Sequence, residues 1–158
     1  MATPTTADYL KYANLQMAAE AFLVDSQEKP LTGQFYLDAL VKGNNRSLLF
    51  TQTQAEAFAD PVKGWTVLDQ RVNTTTGFSG TLFKNNQTGE LVLSFRSTEF
   101  IDDFARDNKA TNELELAQGG FALGQIADME AWYADLLSKP LPNTGGQPPL
   151  LGKTYSGF

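Results

Sequence analysis

Apolar residues recur every three or four positions in several stretches of the chain, which is the spacing of helices with one buried face. This spacing predicts helices at about 7–25, 35–42, 53–59 and 121–138. Thr5 with Asp8 three residues later is a capping signature at the start of the first helix, and Thr53 with Glu56 marks the third. The predicted buried face of the last helix is an apolar stripe of four residues: Ile126, Met129, Tyr133 and Leu136.

Extended stretches rich in apolar and β-branched residues predict four strands, at 65–72, 77–84, 91–95 and 150–156. The polar turn from Asn85 to Gly89 joins the second and third strands into a hairpin. The unbroken apolar run Leu91-Val92-Leu93 indicates a central strand that is covered on both faces. Because the last helix lies between the third and fourth strands, it predicts a right-handed crossover that makes those strands parallel.

The order of these elements predicts an α/β fold. We expect one incomplete domain over residues 1–158, with the N-terminal helices in 1–62 and the sheet in 65–158. The predicted sheet lacks strands on its C-terminal side. We therefore expect an exposed apolar edge that self-association or a complementary C-terminal fragment would cover.

The composition fits a globular protein and limits the classes of partner. Of the 158 residues, 42% are hydrophobic and 19% are charged, which argues against a disordered chain. The formal net charge is -6 and no basic cluster is visible, so we expect no nucleic-acid binding. No stretch reaches the roughly 20 apolar residues of a membrane span. The N-terminal sequence also lacks the basic and apolar regions of a Sec signal peptide.

The chain contains no cysteine and no histidine. Disulfides, thiolate metal sites and a cysteine nucleophile are therefore excluded within these 158 residues. A Ser-His-Asp triad cannot be completed within them, and zinc cannot be bound by histidine. We expect no cofactor.

A dense polar cluster follows the third predicted strand, which ends at Phe95. The cluster begins with Arg96, Ser97, Thr98 and Glu99. Ligands of open α/β sheets bind beyond the carboxyl ends of the strands, which is where this cluster lies. An exposed backbone N–H group at such a position can stabilise a developing oxyanion.

The sequence of residues 93–99, LSFRSTE, resembles the FRG(T/S) segment of the class 3 lipases, and in particular that of the RTX-linked bacterial lipases secreted by the type I route. The pair Asp103-Phe104 with Asp107 is similar to the aromatic and acidic pattern that follows in this family. Gly120-Phe121 and the segment 77–83 are also similar to family segments at the matching places. Ser97 stands where the family has glycine.

This resemblance implies a partial α/β-hydrolase sheet in an enzyme that hydrolyses carboxylic esters of lipids. Thr98 would stabilise the oxyanion through its backbone N–H, and Ser97 and Glu99 would bind the substrate. Arg96, Asp103 and Asp107 would support this loop. The nucleophilic serine, the aspartate and the histidine would follow Phe158, so we expect the 158-residue chain to be inactive by itself. The resemblance is compatible with secretion without a signal peptide, but the sequence does not determine the localisation.

Other interpretations remain open. The lack of histidine also suits a non-catalytic module that binds a lipid or a protein. A carboxylate enzyme that uses Asp102 and Asp103 is another alternative, but adjacent residues rarely converge on one bond. Together with Asp107 they could hold a metal through oxygen, although helix capping and ion pairs with Arg96 or Arg106 suit their spacing better. Ser79, in the sequence GFSGT, is best interpreted as a structural sheet residue, because no glycine completes a nucleophile elbow.

Overall fold

The computed structural model describes residues 3–44, 49–96, 123–141 and 144–153. Within these ranges the chain forms four helices and three strands. The elements are α1 (Thr6–Ala19), α2 (Gly33–Lys42), α3 (Gln52–Phe58), β1 (Trp65–Arg71), β2 (Gly80–Asn85), β3 (Leu91–Phe95) and α4 (Leu123–Ser138). The fold therefore combines helices with a small sheet, which agrees with the general prediction of a fold that contains both.

The three strands form one antiparallel sheet in the order β1-β2-β3. The predicted hairpin is confirmed, since Gly80 pairs with Phe95 and Lys84 pairs with Leu91 across a tight turn. The side-chain Oδ1 of Asn85 accepts hydrogen bonds from the backbone N–H groups of Gln87 and Thr88, at 3.0 and 2.9 Å. Asparagine at this position thus closes the turn with its own side chain.

The predicted central position of β3 is wrong for the described residues. The central strand is β2, in which residues 80–83 are buried, while Leu91, Val92 and Leu93 of β3 are only partly buried. Val92 packs towards one face of the sheet, and Leu91 and Leu93 pack towards the other. The apolar run correctly indicated contacts on both faces, but the lateral order of strands depends on backbone pairing, which side-chain hydropathy does not encode.

Helices cover both faces of the sheet and create two separate cores. The α1-side core lies under α1, α2 and α3, and its large buried members include Leu15, Leu23, Tyr36, Leu40, Phe58, Val67 and Phe83. The α4-side core lies under α4 and contains Leu68, Phe78, Leu82, Trp132, Leu136 and Leu150. The result is a helix–sheet–helix arrangement of three layers.

A bulge in β1 turns two consecutive residues towards α4. Val67 pairs with Phe83 and Asp69 pairs with Leu82, so Leu68 is the extra residue. Both Leu68 and Asp69 contact the α4 side, because Leu68 belongs to the α4-side core and Asp69 accepts a hydrogen bond from Trp132. Bulges commonly redirect a side chain in this way.

The bounds of α1 and α3 differ from the prediction. The capping box of Thr5 and Asp8 is confirmed, but α1 ends at Ala19 and not at about residue 25. Beyond it the chain turns at residues 20 and 21, and the Leu23 N–H then donates to the side chain of Gln70 at 2.7 Å. For α3, the capping box is formed by Thr51 with Gln54, two residues earlier than predicted.

The buried face of α4 agrees with the predicted stripe at Met129, Tyr133 and Leu136, and differs from it at Ile126. Trp132 and Leu136 are the buried residues of the helix, Met129 and Tyr133 are partly buried, and Ile126 is 41% exposed. The predicted stripe omitted Trp132, which is the largest buried side chain of the helix. The helix therefore packs on the sheet through an indole, and Ile126 faces the surface.

The fourth strand, predicted at 150–156, is wrong in its first part. Residues 150–152 form turns, and residues 154–158 lie outside the described part of the chain. Leu150 is buried in the α4-side core and its N–H donates to the Leu136 carbonyl at 3.1 Å, while Gly152 has a φ of +68°. A left-handed glycine so close to Leu150 interrupts an extended strand, and the described sheet contains no parallel crossover.

Tyr36 contributes a buried hydroxyl to the α1-side core, where it is 5% exposed. The hydroxyl has no hydrogen-bond partner among the described residues, and burial raises the pKa of Tyr36. Tyr36→Phe removes an uncompensated polar group, so we expect unchanged stability or a gain of up to about 1 kcal/mol. Urea unfolding measures the change in stability, and Tyr9→Phe, at an exposed position, is the control. A loss above about 1 kcal/mol would show that the hydroxyl is bonded.

Candidate functional site

A cleft of about 220 Å³ opens at the carboxyl end of β3. Three parts of the chain form its walls: the loop that precedes β2, the end of β3 and the first turns of α4. The lining residues are Gly77, Phe78, Ser79, Phe95, Arg96, Gln125, Ile126 and Met129. The cleft therefore lies at the end of β3, and Arg96, the first residue of the predicted polar cluster, lines it.

The wall of the cleft is mostly apolar. The rings of Phe78 and Phe95 lie 6.0 Å apart between centroids, and Ile126 and Met129 complete the apolar lining from α4. Both phenylalanine rings also pack against Trp132, at 5.9 and 6.5 Å. Such a lining suits a short alkyl or acyl group, and the volume lies below the range of pockets for drug-sized ligands, about 300–1,000 Å³.

Hydrogen bonds fix the loop before β2 to α4. The Thr76 hydroxyl donates to the Asp128 carboxylate at 2.6 Å, and the Gln125 side-chain amide donates to the Thr76 carbonyl at 3.1 Å. Gly77 follows with a φ of +86°, which favours glycine at this turn. The buried Ser79 donates its hydroxyl to the Arg71 carbonyl at 3.0 Å, so this side chain is engaged in the sheet.

Arg96 is the predicted site residue that the structure places at the cleft. Its backbone N–H donates to the Ser79 carbonyl at 3.0 Å, which extends the pairing of β3 by one residue. Its guanidinium donates to the Asn73 side chain and lies 5.6 Å from the ring centroid of Phe22. Arg96 thus ties the end of β3 to the loop before β2. Sequence reasoning did not find Asn73 or Phe22, because nothing in the spacing links them to Arg96.

The other predicted site residues lie outside the described residues. They are Ser97, Thr98, Glu99, Asp103 and Asp107, as well as Asp102 of the alternative interpretations. Their predicted roles in oxyanion binding, substrate binding and loop support remain predictions.

A partly buried carboxylate lies behind the cleft and was not found by sequence reasoning. The Trp132 indole N–H donates to Asp69 at 2.6 Å. Burial raises the pKa of Asp69, and this outweighs the opposing effects of the Trp132 hydrogen bond and the nearby Arg71. The Arg71 guanidinium lies 3.6 Å from the carboxylate of Asp135 in α4. No sequence pattern indicated a role for Asp69, because Asp69 faces Trp132 only as a result of the bulge in β1.

The raised pKa of Asp69 predicts a pH-dependent stability. A carboxyl group that binds its proton more tightly in the folded state stabilises the fold fully below its ordinary pKa of 3.8. This contribution is lost as the pH rises through the higher folded pKa. Glu28 adds to the shift, and Arg71 opposes it. We therefore expect Asp69→Asn to be more stable than the wild type at pH 7 and equally stable near pH 3.

Urea unfolding at the two pH values measures this difference. Asp38→Asn, which removes the same charge from an exposed position of α2, reports the general effect of net charge. An Asp69→Asn variant that is less stable than the wild type at pH 7 would contradict the expectation.

In the described part of the chain, no three acidic, histidine or cysteine side chains are grouped so that they could hold a metal ion. The helices described here are each too short or too polar to cross a bilayer. Comparison of the chain with protein-family models, with curated proteins and with solved structures gave no match in any of the three.

Proposed function

We propose that the chain carries the oxyanion-hole part of a carboxylic ester hydrolase of α/β-hydrolase type that acts on lipid esters. The observation that supports this most is the apolar cleft at the carboxyl end of β3. The segment that resembles the class 3 lipases crosses this point, since Phe95 and Arg96 line the cleft and Thr98 follows two residues later.

In this proposal the cleft holds the acyl or alkyl group of the ester beside Phe78 and Met129. The backbone N–H of Thr98 stabilises the oxyanion that forms when the carbonyl is attacked, a contribution of about 3 kcal/mol for one such donor. A serine attacks the carbonyl carbon, a histidine takes the serine proton, and an aspartate orients the histidine. Because the 158 residues include no histidine, at least this base must come from outside them.

Ester binding by the 158-residue chain tests the proposal. We expect methyl hexanoate to shift the NMR signals of the Ile126 and Met129 methyl groups, without hydrolysis of the ester. Met129→Lys places a charge in the cleft and should weaken binding by about tenfold or more. Ala131→Lys, which adds the same charge at an exposed position of α4, is the matched control and should bind normally.

Two results would contradict the proposal. Methyl signals that do not respond to the ester would remove its main support. Ester hydrolysis by the mass-verified chain that survives serine-reactive inhibitors would show that a different chemistry operates.

The same cleft supports a second candidate, a non-catalytic module that binds short lipids. The reading frame beyond codon 158 separates the two. A continuing frame with a Ser-x-Gly elbow, an aspartate and a histidine supports the hydrolase, and a stop codon supports the binding module.

A further inference from the structure

Trp132 supports the cleft from behind without lining it. Its side chain is 2% exposed, and it packs on β2 at Gly80. A Cβ atom at Gly80 would lie only 2.6 Å from Cζ3 of the indole, so glycine is what allows this close approach. The indole therefore occupies a site that leaves it little room to shift towards the sheet.

The indole contacts both aromatic rings of the cleft wall. The Trp132 ring lies 5.9 Å from Phe78, with an interplanar angle of 57°, and 6.5 Å from Phe95, nearly perpendicular at 80°. Tilted and edge-to-face arrangements of this kind are the favoured geometries for aromatic pairs. A rotation of the indole would change both contacts together, and with them the shape of the wall.

Asp69 determines which orientation the indole adopts. The indole has one donor, and this N–H points at the Asp69 carboxylate 2.6 Å away. If the ring flipped, the N–H would lose this acceptor in a buried environment, which is unfavourable. The bulge at Leu68 directs Asp69 to this side of the sheet, so a backbone irregularity in β1 is linked to the cleft through one hydrogen bond.

We propose that Asp69 is a positioning residue for the cleft: by holding the Trp132 indole, it keeps Phe78 and Phe95 in the arrangement that accepts the acyl group of the ester. The identity of the ligand in this inference rests on the proposed function. The positioning of the rings rests on the geometry of the indole. Asp69 does not touch the ligand in this scheme.

The test uses the 158-residue chain and two variants. Asp69→Asn keeps an oxygen acceptor for the indole, and Asp69→Leu removes the acceptor while preserving the volume of the side chain. Nuclear Overhauser contacts between the Trp132 ring and the rings of Phe78 and Phe95 report the geometry. Titration with methyl hexanoate, followed at the Ile126 and Met129 methyl groups, reports binding. We expect Asp69→Asn to resemble the wild type, and Asp69→Leu to lose the ring contacts and to bind about tenfold more weakly.

The other outcomes each decide the inference. An Asp69→Leu variant that keeps its ring contacts overturns it, whether or not binding changes, since the effect would not pass through Trp132. If Asp69→Leu does not fold, Asp69→Ala replaces it in both measurements. If the wild type binds no ester, the proposed function fails separately, and the ring contacts in the variants still show whether Asp69 positions the indole.

Discussion

Trp132→Ala is expected to lower the free energy of unfolding by about 3–5 kcal/mol, the usual cost of truncating a large buried aromatic residue. The substitution removes the largest side chain of the α4-side core, where Trp132 is 2% exposed. It also leaves the partly buried Asp69 carboxylate without its indole donor. Both effects act on the contact between α4 and the sheet, so we expect that contact to loosen first.

Chemical unfolding, followed by the fluorescence of the remaining Trp65, measures this loss. Leu137→Ala on the same helix is the control, because it truncates a more exposed apolar residue and should cost no more than about 1 kcal/mol. A Trp132→Ala variant as stable as Leu137→Ala would show that the indole is not packed as described.

Gly64→Ala is expected to cost about 3 kcal/mol or more, because the connection between α3 and β1 has no space for a methyl group. An added Cβ would lie 2.3 Å from the Phe58 carbonyl oxygen, 2.5 Å from the Asp60 nitrogen and 2.7 Å from the Asp60 carbonyl oxygen. All three are backbone atoms, which cannot move aside as a flexible side chain does. The turn is also fixed by hydrogen bonds, since the Gly64 N–H donates to the Asp60 carbonyl at 2.9 Å and the Gly64 carbonyl accepts from Asn86 at 2.9 Å.

Gly89→Ala separates the steric clash from the general loss of a glycine. Gly89 has open space around its Cα but a φ of +73°, so alanine there costs only the strain of a left-handed conformation, about 1–2 kcal/mol. Equal losses in the two variants, measured by urea unfolding, would refute the close approach at Gly64.

Turns and helix caps could be predicted from the sequence, whereas the order of the strands in the sheet could not. The turn at residues 85–89 and the capping box of Thr5 with Asp8 depend on neighbouring residues, and both are confirmed. The position of β3 at the edge of the described sheet depends on which strands pair, and hydropathy carries no such information. The same limit explains Leu150, whose apolar character suited a strand but serves a turn packed on α4.

Sequence patterns did not reveal how the cleft is supported. Of the polar cluster predicted after Phe95, Arg96 lines the cleft, and the other residues lie outside the described part of the chain. Asp69 and Trp132 are 63 residues apart in sequence, and they meet only because a bulge redirects one of them and α4 packs over the other. The role of Thr98 remains a prediction that ester binding and the reading frame can test.

The division of the interior into two cores implies an order of assembly. All the buried members of the α1-side core lie between Leu15 and Phe83, whereas the α4-side core needs Trp132, Leu136 and Leu150. A chain that emerges from the ribosome from its N-terminus can therefore complete the first core well before the second. Since α4 supplies one wall of the cleft, we expect the cleft to form only after α4 has emerged, when β1, β2 and β3 can already pair.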